Sequence, residues 1–525
     1  MARSSGRFPA LVGAGILLSR LAGLVRQRVF SHYLGLHDEA DVVTAAFRIP
    51  NLLQNLFGEG VLSASFIPVY VGLLRDGDED AAGKVAGAVL GLLSFVVALI
   101  VLVGVVATPL VVDTLVPGFG GHKRLLTISV VRILFPATGL LVLSAWCLGI
   151  LNSHKRFFVS YSAPVIWNIA IIAVTVWAAL RAGPVDTLVV WIAWGAVLGS
   201  ALQVLVQLPT VIAVLKGFKL AVRTTTPEVR TVVRNFWPVL LGRGANQISA
   251  YVDGVIASLL STGANAALGN AQLLYTLPVS LFGMSVAAAE LPQMSEVGGS
   301  DEQRFAVLRS RLEDGYHKIA FFIVPCAVAF IVLGQVIAGA VFQTGRFSAA
   351  DSRYVWAILA GSAVGLLAST LSRLTSSTFY ALKDTRTPLR YALVRVGLTT
   401  VLGFAAAMAI PAALGVETKW GAAGLTATAG FAGWVEFLLL RRRLATVIGP
   451  THFQPGYLPR LWTAAMVGGA IGVALFWRFG AEGARPIATA AVVLIPFGLA
   501  YASLTLYFRI PTAVALMAEV RRRAF

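Results

Sequence analysis

The sequence predicts an all-α integral membrane protein of about fourteen transmembrane helices. Hydrophobic residues make up 57% of the chain and charged residues only 13%, where a soluble domain carries roughly 25% charged. The mean hydropathy is +0.80. Apolar runs long enough to cross the hydrocarbon core, about twenty residues each, recur through all 525 residues. A soluble enzyme, a disordered chain and a secreted disulfide scaffold are excluded together.

Windows of that length place spans at 8–30, 40–74, 84–113, 125–151, 158–180, 187–215, 232–261, 265–295, 316–342, 353–382, 388–411, 420–440, 460–478 and 486–508. Span one is not a cleavable signal peptide, because Ser19, Arg20 and Arg26 interrupt it and no small-residue cleavage pattern follows. Span two contains Pro50, which should kink it. Several spans exceed the bilayer thickness and must tilt, bend or protrude. Span eight repeats features of span two: Arg48-Ile49-Pro50, Leu56-Phe57-Gly58 and Pro68 answer to Thr276-Leu277-Pro278, Leu281-Phe282-Gly283 and Pro292. The two proline spacings differ by about one helical turn. An offset of six helices gives both halves the same membrane orientation, a parallel pseudo-two-fold repeat of the kind found in transporters. The expected organisation is a six-helix bundle over 1–222, a second over 223–450, and two extra helices with a basic tail over 451–525.

Lys and Arg exceed Asp and Glu, 42 to 24, for a net charge of +18. Alternate loops carry about three times as many basic residues as the others, which sets both termini in the cytoplasm. No aromatic–basic motif accompanies the charge, so nucleic acid is not an expected partner; anionic membrane lipid is. The two cysteines lie in apolar runs and the six histidines have no metal-ligand spacing. No nucleophile elbow, phosphate loop or zinc signature is present. Neither covalent chemistry nor a cofactor is expected, and the chain reads as a transporter rather than an enzyme.

Eight arginines are read as intramembrane, others lying at or near span ends: Arg20, Arg26, Arg28, Arg48, Arg132, Arg243, Arg373 and Arg395. Each costs about 2.5–3.5 kcal/mol at the bilayer centre if it faces lipid. Arg28, Arg132 and Arg395 can snorkel to an interface. The others call for a cavity or a partner. Ser19, Gly23 and Arg26 share a helical face. Asp41, Arg48, Asn55 and Glu59, with Asn51 beside them, form a polar stripe along span two. An excess of guanidinium over carboxylate points to an anionic substrate, since the planar fork matches phosphate oxygens. Asp253 and Glu290 are candidates for ion coupling or for pairing, and the residues leave membrane potential, Na+ and H+ open as driving forces.

A further set of motifs is specific. They are Ser19-Arg20-Leu21-Ala22-Gly23-Leu24-Val25-Arg26, Phe47-Arg48-Ile49-Pro50-Asn51-Leu52-Leu53, Phe57-Gly58-Glu59-Gly60, Gln207-Leu208-Pro209, Phe342-Gln343-Thr344-Gly345-Arg346-Phe347 and Leu382-Lys383-Asp384-Thr385-Arg386-Thr387-Pro388. In these the chain resembles the MurJ/MviN family of lipid II flippases, within the multidrug/oligosaccharidyl-lipid/polysaccharide exporter superfamily, from span one through span fourteen. The resemblance implies a central cavity between two bundles and a groove for an isoprenoid tail made by spans thirteen and fourteen, where Gly468 and Gly472 form a GxxxG. It implies that Arg20, Arg26 and Arg48 contact the pyrophosphate of an undecaprenyl-linked saccharide, and that Asp41 and Glu59 pair with arginines in one state and release them in the other. Arg373 stands where the family is often basic. The implied setting is the bacterial inner membrane, beside the cell-wall synthesis proteins. The alternative is export of another polyprenyl-linked saccharide, or of drugs, on the same fold. Departures from the family pattern are Gln27, Gln54, Gln272, Leu273, Thr276 and Gly403, with Arg243 a replacement for the lost span-eight charge.

Overall fold

The computed structural model describes residues 7–57, 59–220, 226–287, 290, 294, 300–480 and 485–524; within these, the side chains of 7–14, 16, 50, 59, 239, 241–250, 520, 523 and 524 are not described. Every regular element among the described residues is helical. The chain divides into two compact units, Met1–Ala266 and Ala267–Phe525.

Unit 1 contains α1 (Arg7–Leu34), α2 (Asp38–Phe57), α3 (Glu59–Ser65), α4 (Ile67–Arg75), α5 (Glu79–Val106), α6 (Thr108–Leu115), α7 (Gly121–Ser153), α8 (Phe157–Ala179), α9 (Val185–Val214) and α10 (Pro227–Ser258). The helix α11 (Ala264–Pro278) begins in it and runs into unit 2. Helix α2 continues through Pro50, Asp38–Arg75 forms one span of 38 residues, and Pro68 sits in the first turn of α4. The core of the unit joins α3, α4, α5 and α7 through Leu62, Phe66, Tyr70, Val85, Ala86, Trp146 and Ile150. A buried amide ladder fastens α7 to α9: Gln203 Nε2 donates to Ser144 Oγ, and Ser144 Oγ donates to Gln207 Oε1, both at 2.8 Å. Helix α10 packs on α2 and α3, inside unit 1.

Unit 2 continues with a π-helical turn (Val279–Met284), α12 (Asp301–Val332), α13 (Gly334–Phe342), α14 (Ala349–Ala363), α15 (Leu366–Ala381), α16 (Arg386–Leu414), α17 (Gly421–Ile448), α18 (Tyr457–Phe479), α19 (Pro486–Tyr507) and α20 (Pro511–Ala524). A wide helical turn following Pro278 is consistent with the hydrogen bond that proline cannot donate. Helices α14 and α15 meet at a bend of 44°. Helix α18 packs on α19 and α12. The GxxxG of α18 is shared between two neighbours, since a Cβ on Gly468 would meet the Phe497 carbonyl of α19 whereas one on Gly472 would meet Leu333.

Among the described residues ten helical spans are long and apolar enough to cross a membrane, eleven if α14–α15 counts as one. Helices α1, α10 and α11 stand where spans one, seven and eight were expected but fall outside that set; α10, for one, carries Glu228, Arg230, Arg234 and Asp253. Side chains such as Leu102, Val106, Ile212 and Val401 are more than half exposed, a surface that only lipid can solvate. Trp477 and Tyr507 stand nearly bare at helix ends, as in an interfacial aromatic belt.

Candidate functional site

Helix α1 approaches α8 closely at Gly15, where any Cβ would overlap Tyr161, and again at Gly23, whose Cβ would lie 4.0 Å from Asn168 Oδ1. That contact fixes the polar face of α1. Ser19 is half-buried and Arg20 exposed. Arg26, two turns further on, is enclosed. Its guanidinium carbon lies 4.9 Å from the Trp167 ring centre, 5.8 Å from Phe30 and 5.9 Å from Phe47. Three aromatic faces from α8, α1 and α2 thus hold one cation, each inside the range of cation–π attraction. Its Nε is buried without a hydrogen-bond partner.

Helix α2 divides its polar stripe. Asp41 is 1% exposed. One carboxylate oxygen accepts the Ala266 amide at 2.8 Å; the other accepts the Gly263 amide at 2.7 Å and Lys123 Nζ at 2.6 Å. Gly263 has φ +83°, a left-handed turn that also sets its Cα against the Leu36 carbonyl, so only glycine fits. Lys123 also reaches Asp38 at 2.8 Å, and Thr262 Oγ1 donates to Asp38 at 2.9 Å. The expectation that Asp41 pairs with an arginine is corrected here: in this structure its cation is Lys123 of α7, and the amides of Gly263, in the turn before α11, and of Ala266, in its first turn, donate its remaining hydrogen bonds.

Arg48 lies half-buried against α10. Its guanidinium rests on the bare Cα of Gly254, where a Cβ would fall on Nη1, and Tyr251 Oη donates to the Arg48 carbonyl at 2.9 Å. Asp253 is the neighbour of that glycine. A small hollow beside Arg48 is lined by Ala45, Ile49, Leu115, Val131 and Tyr251. Asn51 and Asn55 are exposed on the same helix. Glu59 and Arg243 are helical, but their side chains lie outside the described residues.

In unit 2, Arg373 of α15 is exposed. Glu290 is 7% exposed and reaches Lys318 at 3.3 Å and Arg311 at 3.5 Å, both on α12. Arg395, expected to snorkel, instead meets Glu436 of α17 at 3.1 Å. Among the described residues no three His, Cys, Asp or Glu side chains converge as metal ligands.

Sequence reasoning missed Trp167, Lys123 and Glu436. Lys123 lies 82 residues from Asp41, beyond any spacing rule. Glu436 was detectable, as a single acid inside an apolar span.

Residues 30–480 match the family described as lipid II flippase MurJ. The chain belongs to the lipid II flippase MurJ family. It is 30% identical to a probable lipid II flippase MurJ of Rhizobium meliloti over 98% of this chain and 95% of that protein. It is 31% identical to the Haemophilus influenzae relative, over 74% of this chain and 78% of the other. Among solved structures, a lipid II flippase MurJ in an inward closed conformation superposes with a TM-score of 0.76 at 20% identity, over 95% of this chain and 99% of that one. An inward-facing multidrug MATE transporter gives 0.64 at 18% identity, over 82% of this chain and 95% of that one. Both likenesses establish the fold. MurJ membership and an all-helical, multi-pass architecture agree with the class read from the sequence, while the departures at Gln54, Gln272 and Leu273 stand: Gln272 is exposed and donates to Thr276 Oγ1 at 3.4 Å, a neutral contact at both positions.

Proposed function

We propose that this protein is a lipid II flippase, carrying the undecaprenyl-pyrophosphate-linked peptidoglycan precursor from the inner to the outer leaflet of the bacterial cell membrane by alternating access. The observation that carries the reading is the arginine set of α1 and α2. Arg20, Arg26 and Arg48 stand on α1 and α2, with Arg26 enclosed by three aromatic rings and Arg48 resting on the bare Cα of Gly254. Guanidinium forks on these helices suit a carrier of pyrophosphate, whose oxygens they match.

In this reading Arg20 and Arg48, with Ser19, Asn51 and Asn55, replace the hydration of the pyrophosphate and the first sugar by hydrogen bonds. The isoprenoid tail stays in lipid or against α18 and α19. Asp41 takes part as a latch: its bonds to Lys123, Gly263 and Ala266 hold the end of α2 in one state and are exchanged in the other. Both termini lie in the cytoplasm, as the basic loops require. A net positive charge moving with the carrier feels about 2.3 kcal/mol per 100 mV, which resets the empty protein without a bound ion.

The test is rescue of cells depleted of their own lipid II flippase, together with accessibility of labelled lipid II in proteoliposomes. Rescue by the wild type and its loss in Arg20→Ala and Arg48→Ala support the reading. Full rescue by both variants removes these arginines from it, and no rescue by well-expressed wild type overturns it.

A further inference from the structure

Unit 2 holds a second group of charges within the helices that the flippase reading leaves unused. Arg395 Nε on α16 lies 3.1 Å from Glu436 Oε2 on α17, a contact without an aligned hydrogen bond. The Glu436 side chain is 12% exposed and that of Arg395 36%. Arg373 stands on α15, a helix packed against α17; it is exposed and makes no ion pair among the described residues. Ser369 precedes Arg373 by one turn on the same face and shares a 2.7 Å hydrogen bond with the Tyr275 hydroxyl. At 1.5 Å rise per residue, Arg395 lies about 14 Å from the start of α16, Glu436 about 18 Å from the end of α17 and Arg373 about 12 Å from the end of α15. Antiparallel α16 and α17 put the first two at a common depth, well inside an apolar span.

Two guanidinium groups and one carboxylate are carried by these packed helices at similar depth. A purely structural ion pair is balanced, and an unmatched cation at this depth is expensive. The surplus charge is accounted for if an anion completes the group. A loosely held Arg395 is what such an exchange requires, because a bidentate carboxylate would occupy the fork that phosphate needs.

We infer that Arg373 and Arg395 form a binding site for a lipid-borne phosphate group, with Glu436 as the resident counter-ion that the phosphate displaces. The inference rests on the flippase reading in taking the phosphate to be that of a polyprenyl pyrophosphate. Ser369 and Tyr275 then supply neutral hydrogen bonds on the flank. Glu436 acts on transport through Arg395: it holds the empty site and speeds release by reclaiming the arginine.

The experiment titrates purified full-length protein in detergent with undecaprenyl pyrophosphate and, separately, with phosphatidylglycerol, reading bound lipid by native mass spectrometry and unfolding by temperature. Arg395→Gln weakens undecaprenyl pyrophosphate binding by about tenfold or more, the loss of a charge-assisted hydrogen bond. Glu436→Gln tightens it several-fold and slows flipping. Arg395→Gln/Glu436→Gln binds as weakly as Arg395→Gln alone. Arg395→Lys, which keeps the charge and loses the fork, falls between; it serves where Arg395→Gln fails to fold. If binding is equal across folded variants, and the double variant simply regains the stability lost by each single one, the pair is structural and the inference is overturned. Wild type that binds phosphatidylglycerol as tightly as the pyrophosphate, through the same Arg395, overturns the pyrophosphate assignment. Wild type that binds the pyrophosphate lipid only in an Arg395-independent way overturns the inference while leaving the flippase reading intact; failure of wild type to bind it at all counts against that reading itself.

Discussion

The Arg26 guanidinium carbon stands 4.9 Å from the centre of the Trp167 ring, joining α1 to α8 through a cation and an indole face. Desolvated cation–π contacts of this kind are worth about 2 kcal/mol, and Trp is the best of the aromatic partners. Trp167→Leu keeps apolar volume but removes the π face. Thermal unfolding of Arg26→Ala, Trp167→Leu and the double variant is expected to reveal a coupling of about 1–2 kcal/mol. Arg26→Lys, with no plane to stack, should recover less than half of the loss caused by Arg26→Ala. Strict additivity of the two single changes would show that the rings merely fill space.

Gly254 and Arg48 give a change that acts on one side chain alone. A Cβ at Gly254 collides with Arg48 Nη1, the far end of a flexible side chain, rather than with backbone. Gly254→Ala is therefore expected to move the guanidinium and leave α2 on α10. Thermal stability should change by no more than about 1 kcal/mol, with a small gain from the better helix former. Flipping in proteoliposomes should fall toward the level of Arg48→Ala. Adding Gly254→Ala to Arg48→Ala should then do nothing further, and a second additive drop would mean that the glycine serves helix packing.

Asp41 anchors three pieces of unit 1: α2, Lys123 of α7 and the turn before α11. Removing one partner of a buried pair leaves the other uncompensated, at about 3–5 kcal/mol. Lys123→Met and Asp41→Asn are each expected to lower the unfolding temperature strongly. The combined variant should lose less than the two losses added, because neither charge is then left alone. If Asp41→Asn is silent in thermal unfolding, the latch assigned to this residue is wrong.

The elements were legible because a membrane span is a local property: about twenty apolar residues announce it without reference to the remainder of the chain. The kink expected at Pro50 does not interrupt the helix: α2 runs on through that residue. The arginines were legible for the same local reason. Their surroundings were not. The Gly263 amide that meets Asp41 is 222 residues away, and the three rings around Arg26 come from three helices. Arg395 was assigned to an interface because only its own helix was weighed; the acid that holds it sits on the next one, at Glu436.

Asp384 lies in the turn ahead of α16, outside the spans, and accepts the amides of Arg386 and Thr387 at 3.0 Å and the Thr387 hydroxyl at 2.6 Å. The Thr387 hydroxyl, followed by that residue's amide, holds the Asp384 carboxyl below the usual carboxylate range. A folded value below the unfolded one stabilises the protein above the unfolded value, near 4, and that stability is lost as pH falls through the lowered one. Asp384→Ala should cost about 1 kcal/mol near neutrality, as for other lost helix caps. The gap between wild type and variant in thermal unfolding should close in acid below pH 4. A gap that persists unchanged to pH 3 would place the loss in packing instead of in the charge.

Gly365 and Gly430 bring the bend between α14 and α15 into backbone contact with α17. A Cβ on Gly365 would overlap the Gly430 Cα, and a Cβ on Gly430 would lie 2.7 Å from the Gly365 amide nitrogen. Neither obstacle is a side chain that can swing aside, so a methyl group must push the helices apart along their length. Trp434 Nε1, which donates to the Val364 carbonyl at 2.8 Å, and Thr426 Oγ1, which donates to the Ile358 carbonyl at 2.8 Å, would lengthen together with it. Small residues at such crossings supply much of the packing energy between membrane helices. Gly365→Ala and Gly430→Ala are each expected to cost about 2–3 kcal/mol, within the range for overpacking. Gly361→Ala, whose Cβ would meet the Ala423 carbonyl one turn away on the same seam, should behave alike. By contrast Gly397→Ala, which meets nothing within 4 Å on α16, should be neutral or slightly stabilising. Thermal unfolding of the four variants in one detergent decides it: equal stability for Gly365→Ala and Gly397→Ala would show that the bend carries no close helix contact.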